Sequence, residues 1–221
     1  MTDSHADFRK QIVDASSNLV NTGVLSFSGH GNASVRIPGT DTMLLTGVST
    51  LLNTREETLA VVDFEGNTVE GEVASTSREI IQMHACVYKI RADVQSVIHT
   101  HSTYATAFAL AHEPIPCRYE ALLRMGLDQD IPVAPWGPRG SDASVRYIVD
   151  AVNGSPGTMA VLLANHGVLA FGSDAPAAAR GIVAMEEAAV MTIAAAQVGG
   201  AKPFPADAMR QVQDRLKTFA R

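Results

Sequence analysis

Short apolar runs that stop at turn residues, set between stretches of helical spacing, decide what this 221-residue chain can fold into. A run of four to eight apolar residues bounded by Gly, Pro or Asn reads as a strand, and apolar residues recurring at i, i+3 and i+4 read as one helix face. Phe8, Ile12, Val13, Leu19 and Val20 predict a first helix that stops near Asn21 and Gly23. "LSFSGHGNASVRIPGTDTMLLTGVS" predicts two strands joined by a turn at 38–41, followed by a strand at 59–63, a turn at 65–67 and a short strand from Thr68. Ser77 as a cap, with Ile80, Met83, Val87 and Ile90 behind it, predicts a second helix. A strand at 93–101, a helix at 102–113 and a Pro-rich stretch with short elements come next. A helix at 141–152, one strand at 158–172 and an Ala-rich helix at 175–198 complete the reading. Hairpins with interleaved helices predict an α/β fold: one domain over 1–221, layered, with a central, mainly antiparallel sheet covered by helices.

Composition limits the function. Hydrophobic residues make up 46% and charged residues 18%, enough apolar surface for a sizeable core. Lys plus Arg is 17 against 23 Asp plus Glu, a formal charge of −6, and no basic cluster is long enough to follow a phosphate backbone, so nucleic acid is not an expected partner. The most apolar windows, 158–171 and 175–200, are interrupted by His, Asn, Arg or Glu and read as core rather than as membrane spans. Two cysteines, Cys86 and Cys117, and an amino terminus without an apolar stretch point to a reducing cytoplasm, with both thiols buried.

The chemistry gathers in "SVIHTHS". Residues i and i+2 of a strand share a face, so His99 and His101 present two imidazoles side by side, a chelating arrangement that needs a third ligand. His166, closing the run "AVLLANHG" just before a glycine, is the best candidate, and Glu79 is the other. The plainer reading is three polar residues satisfied at strand ends. The loop "SGHGNAS" offers unhindered backbone N–H groups, and Thr46, Gly47, Ser75, Thr76 and Ser77 add hydroxyls and amides that suit an anion, although each alone is an ordinary turn residue. Arg118, Arg124 and Arg139 are more simply salt-bridge residues, Trp136 a packing residue, and His84 structural; His5, His30 and His112 carry no signal, beyond the place of His30 inside the Gly-rich loop.

The blocks "GHGNASVR", "LLTGVS", "STSREIIQMHACVYKIRADVQSVIHTHSTYATAFAL", "IPCRYE" and "LLANHGVLAFG" occur in an order that resembles the class II aldolase and adducin head-domain family, the group of L-fuculose-1-phosphate aldolase and L-ribulose-5-phosphate 4-epimerase, over roughly residues 8–200. The resemblance implies one zinc ion, with Mn2+ or Co2+ compatible with the same donors, held by His99, His101 and His166. It implies Glu79 as fourth ligand at rest and acid/base in turnover, and a substrate phosphate bound by Gly31, Asn32, Thr46, Gly47, Thr76 and Ser77. Tyr119 would be a proton donor reaching in from a neighbouring subunit of a homotetramer. The expected reaction is cleavage of a short ketose 1-phosphate into dihydroxyacetone phosphate and an aldehyde. Epimerisation, dehydration or decarboxylation on the same scaffold is the alternative, and a non-catalytic adducin-like module the more distant one. Three departures stand out: Glu79 and His84 are five residues apart rather than four, "LLTGVS" lacks the proline common in that loop, and the tail "PFPADAMRQVQDRLKTFAR" has no tyrosine, which implies a different aldehyde preference from that of fuculose aldolase.

Overall fold

The strands join into one eight-stranded sheet. A computed structural model describes residues 5–219; the amino terminus without an apolar stretch begins outside them. In chain order the elements are α1 (Ala6–Asn21), β1 (Gly31–Arg36), β2 (Thr42–Thr46), β3 (Leu59–Asp63), β4 (Thr68–Glu70), α2 (Ile81–Ile90), β5 (Ser96–Thr100), α3 (Thr103–Ala111), α4 (Glu120–Arg124), β6 (Val133–Ala134), α5 (Asp142–Gly154), β7 (Ala160–Leu163), β8 (Gly167–Gly172), α6 (Ala175–Ala196) and α7 (Ala208–Phe219). The strand order is β4-β3-β2-β1-β5-β8-β7-β6, antiparallel throughout except for the β6–β7 pair.

Side-chain alternation sends each strand's residues into two cores. Leu44, Val61, Ile98, Leu162 and Val168 pack with α1, α3, α4 and α6, while Leu45, Val62, Val97, Val161 and Leu169 pack with α2 and α5. A sheet buried on both faces cannot show polar alternation, which is why "AVLL" reads as an unbroken apolar run. His99 follows Ile98 and so shares the face of Val97, toward α2.

Two sequence expectations change, and the tail adds an element for which there was none. The single strand expected at 158–172 is a hairpin: Asn165 adopts φ 58°, the chain reverses between Leu163 and Gly167, and β7 pairs with β8. The helix expected from Ser77 starts later, because Ser75–Ile80 forms a 3₁₀ turn and α2 begins at Ile81. Ser77 does not cap it; its hydroxyl is buried and lies 2.9 Å from that of Ser49. The tail contains the amphipathic helix α7, whose Met209 and Val212 rest on the core.

α3, which follows His101 directly, is capped from a distance. Ser102 precedes it, but the Ser102 hydroxyl pairs with that of Thr100 at 2.8 Å. Instead the Glu186 carboxylate, from α6, accepts from the backbone N–H groups of Tyr104 and Ala105, each at 2.8 Å. Burial raises the Glu186 pKa while these donors act to lower it. Glu186→Ala is expected to cost about 2 kcal/mol, the value of two charge-assisted capping bonds, read as a lower urea midpoint with an unchanged slope.

Candidate metal centre

β5 delivers His99 and the residue beyond its end delivers His101, while the β7–β8 turn brings His166 across from the neighbouring hairpin. The ring centroids of His99 and His166 are 4.5 Å apart, and His101 stands 5.0 Å from each. One ring nitrogen from each residue lies within 4.8 Å of the others, and among the described residues this is the group of His, Cys, Asp and Glu able to hold a metal ion. The Nδ1–H of His99 donates to the Val168 carbonyl at 2.8 Å, which leaves Nε2 as the inward lone pair, 3.1 Å from Nε2 of His101. That separation suits two ligands about 2 Å from a common zinc ion in tetrahedral geometry.

Electrostatics favour neutral ligands. Burial lowers the pKa of His99 well below its ordinary value, with the neighbouring His166 and His101 adding to the effect. Burial also lowers His101, and brings His166 down to about 4 with help from His101 and the Arg139 guanidinium. A neutral imidazole is the form that binds a metal, so ligation displaces no proton at neutral pH.

The imidazoles line a cavity of about 290 Å³ whose wall includes His30, Gly31, Asn32, Ser49, Trp136 and Arg139. Trp136 is 59% exposed at this wall, so it is not the packing residue expected from sequence. Gly31 and Asn32 are therefore beside the histidines, and the sheet register pairs Asn32 with His99. Ser77 touches the cavity through Ser49. Thr46 is buried with its hydroxyl accepting from the Ala33 N–H at 3.2 Å, and Thr76 is exposed on the 3₁₀ turn. Gly47 lies close under two backbone carbonyls, where an added Cβ would sit 2.4 Å from that of Glu72 and 2.8 Å from that of Thr58.

Glu79 projects from the 3₁₀ turn, and its carboxylate ion-pairs with Arg139 outside the three-histidine cluster. Arg139 thus links the carboxylate to the cavity wall, while Arg118 pairs with Asp130 at 3.3 Å. Tyr119 occupies the position just before α4, and its hydroxyl donates to Glu187 at 3.2 Å; the Glu187 charge raises its pKa and keeps the phenol protonated. It does not line the histidine cavity of its own chain. Both cysteines are buried and free.

One supporting residue gives no signal in the sequence. His112, at the left-handed C-terminal cap of α3, donates from Nε2 to Asn165 Oδ1 at 2.7 Å, while the Asn165 N–H donates to the Ala109 carbonyl. The end of α3 therefore holds the turn that presents His166.

The sequence model described as the Class II Aldolase and Adducin N-terminal domain matches residues 10–193. A 5-methylthioribulose-1-phosphate/5-deoxyribulose-1-phosphate aldolase of Rhodospirillum rubrum is 27% identical over 219 residues, covering 99% of this chain and 95% of that protein. A 3-oxo-tetronate 4-phosphate decarboxylase of Haemophilus influenzae is 34% identical, covering 73% and 75%. Among solved structures, an L-fuculose 1-phosphate aldolase superposes with a TM-score of 0.82 at 29% identity, covering 98% of each chain.

Proposed function

Because the chain belongs to the class II aldolase and adducin N-terminal domain family, we propose that it is a zinc-dependent aldolase. Its substrate is a short ketose 1-phosphate, such as L-fuculose 1-phosphate or a deoxypentulose 1-phosphate, cleaved into dihydroxyacetone phosphate and an aldehyde. The observation that carries this reading is the convergence of three neutral imidazoles on one wall of a substrate-sized cavity. The names of these two aldolase relatives, each spanning nearly the whole chain, support the substrate class.

His99, His101 and His166 would hold the metal, with Glu79 as its fourth ligand at rest. Bound zinc supplies Lewis-acid polarisation of the substrate carbonyl. Gly31, Asn32, Thr46, Gly47, Thr76 and Ser77 bind the phosphate, with Gly31 and Asn32 at the cavity wall and Gly47 keeping two backbone segments in close approach. Arg139 ion-pairs with the Glu79 carboxylate and orients it. In the condensation direction that carboxylate removes a proton from the hydroxymethyl carbon of dihydroxyacetone phosphate, and the protonated Tyr119 of a neighbouring subunit gives one to the new hydroxyl oxygen. Cleavage reverses both transfers. This role for Tyr119 goes with a homotetramer that builds its site between subunits and acts in the cytoplasm. Among the described residues no helix is long and apolar enough to cross a membrane.

The test is product analysis. Incubated with L-fuculose 1-phosphate and with 5-deoxyribulose 1-phosphate, the purified protein is expected to release dihydroxyacetone phosphate from at least one, detected by coupled reduction with NADH. Carbon dioxide release from 3-oxo-tetronate 4-phosphate, with no triose phosphate from either ketose, would replace cleavage by decarboxylation, the reading favoured by the 34% identical relative.

A further inference from the structure

Behind the cavity wall runs a buried chain of four side chains: Tyr88 and His84 from α2, and Ser34 and Asn32 from β1. The Tyr88 hydroxyl lies 2.7 Å from Ser34 Oγ, Ser34 Oγ lies 2.7 Å from His84 Nδ1, and His84 Nε2 lies 2.6 Å from Asn32 Oδ1. All four residues are at most 2% exposed. We infer that Tyr88, through Ser34 and His84, sets the orientation of the Asn32 amide, so that its NH2 group is presented to the cavity as a donor for substrate oxygen atoms; His84 and Tyr88 are positioning residues.

The polarity follows from counting hydrogens. A buried phenol O–H must donate; the Val97 backbone, which also bonds the Tyr88 hydroxyl, lowers its pKa and so acts as a donor, which leaves Ser34 Oγ as the acceptor among the described residues. Ser34 then donates its own hydrogen. Its choices are His84 Nδ1 at 2.7 Å and the Val97 carbonyl at 3.5 Å, the second well outside the range of about 2.5–3.0 Å for such a bond. His84 Nδ1 is therefore the acceptor. A neutral imidazole with a bare Nδ1 carries its hydrogen on Nε2, and burial with no countercharge, which brings the His84 pKa down to about 3, keeps the ring neutral. Nε2–H donates, and the Asn32 atom that faces it must be the oxygen. The amide nitrogen is left on the other side; Asn32 lines the cavity, and its Nδ2 has no hydrogen-bond partner among the described residues. The reversed amide would aim a lone pair at an anionic ligand. That the ligand is a phosphate rests on the function proposed above, whereas the direction of the relay does not.

Long-range 15N–1H spectroscopy of the imidazoles in the full-length protein reads the His84 tautomer directly. The expected result is a single Nε2–H form, and an Nδ1–H form overturns the inference whatever any variant does. Tyr88→Phe removes the hydrogen that imposes the direction, so a second, Nδ1–H population is expected. If half of the molecules then hold the reversed amide, the apparent Kd for inorganic phosphate rises about twofold. Asn32→Asp, which has no NH2 to present, is expected to weaken phosphate binding at least tenfold. A folded Tyr88→Phe protein that keeps the single Nε2–H form, or an Asn32→Asp protein that binds phosphate as the parent does, also overturns it. A parent protein with the Nε2–H tautomer that binds no phosphate keeps the relay and removes the phosphate reading of the site.

Discussion

Alanine at His99 is expected to empty the metal site and to lower kcat/KM for ketose phosphate cleavage by about a thousandfold or more. The residue is 3% exposed, and its Nδ1–H is committed to the Val168 carbonyl, so its inward nitrogen is held without freedom to swing away. Losing it leaves His101, just past the end of β5, and His166, from the β7–β8 turn, which keep only two of the three nitrogens. Lewis-acid stabilisation contributes several kcal/mol to the transition state, and about 1.4 kcal/mol corresponds to each factor of ten in rate. Elemental analysis should find about one zinc per chain in the parent and none in the variant. Truncation also removes a buried donor to the Val168 carbonyl, so circular dichroism must accompany the assay. A folded His99→Ala protein that retains its zinc would remove His99 from the ligand set.

Gly167→Ala is expected to cost about 2–3 kcal/mol of stability and to weaken metal binding at least tenfold. Nothing in the backbone conformation of Gly167 requires glycine, since its φ lies outside the left-handed region; the surroundings do. A Cβ there would stand 2.5 Å from the Thr100 carbonyl oxygen, 3.0 Å from Cδ2 of His101 and 3.1 Å from Cε1 of His99. The carbonyl belongs to β5 where it pairs with β8 and cannot retreat without parting the strands, so part of the displacement falls on the two imidazoles. Overpacking of this kind costs about 1–3 kcal/mol, and a shift of ligand nitrogens loses metal affinity beyond that. Gly154→Ala at the end of α5 is the matched control: nothing lies within 4 Å of its added Cβ, and little change is expected. Urea unfolding of both variants, with zinc affinity by competition against a chelator, separates the two effects. Equal stability of the two variants would show that β5 and β8 yield at Gly167.

Much of the site is legible in the residues themselves. Period-2 placement alone puts His99 and His101 on one face of a strand, and "ANHG" marks His166 as their partner, because ligands that arrive on strands carry their spacing in the sequence. The sheet's antiparallel character is legible from the turn at 38–41 and from the run 65–67, both of which close hairpins. The hairpin at Asn165 is not, because the reversal rests on a left-handed asparagine held by His112 from α3, 53 residues earlier. Nor is the true start of α2, because a Ser before an apolar run looks the same whether its hydroxyl caps a helix or meets Ser49.

Local covalent geometry and hydrophobic periodicity act over a few residues, and the sequence alone determined whatever they control: the alternation of strands and helices, the paired imidazoles at the end of β5, and the glycines of the cavity loop. Contacts between residues distant in the chain were decided by the tertiary structure. It brought His166 to His99, paired Glu79 with Arg139 across 60 positions, capped α3 with Glu186, and turned His84 from a helix-face histidine into the neighbour of Asn32. Each of these depends on which strand lies beside which and on how the helices pack over the sheet. Such long-range choices minimise buried, unpaired polar groups across the whole molecule, and no short window of residues contains them.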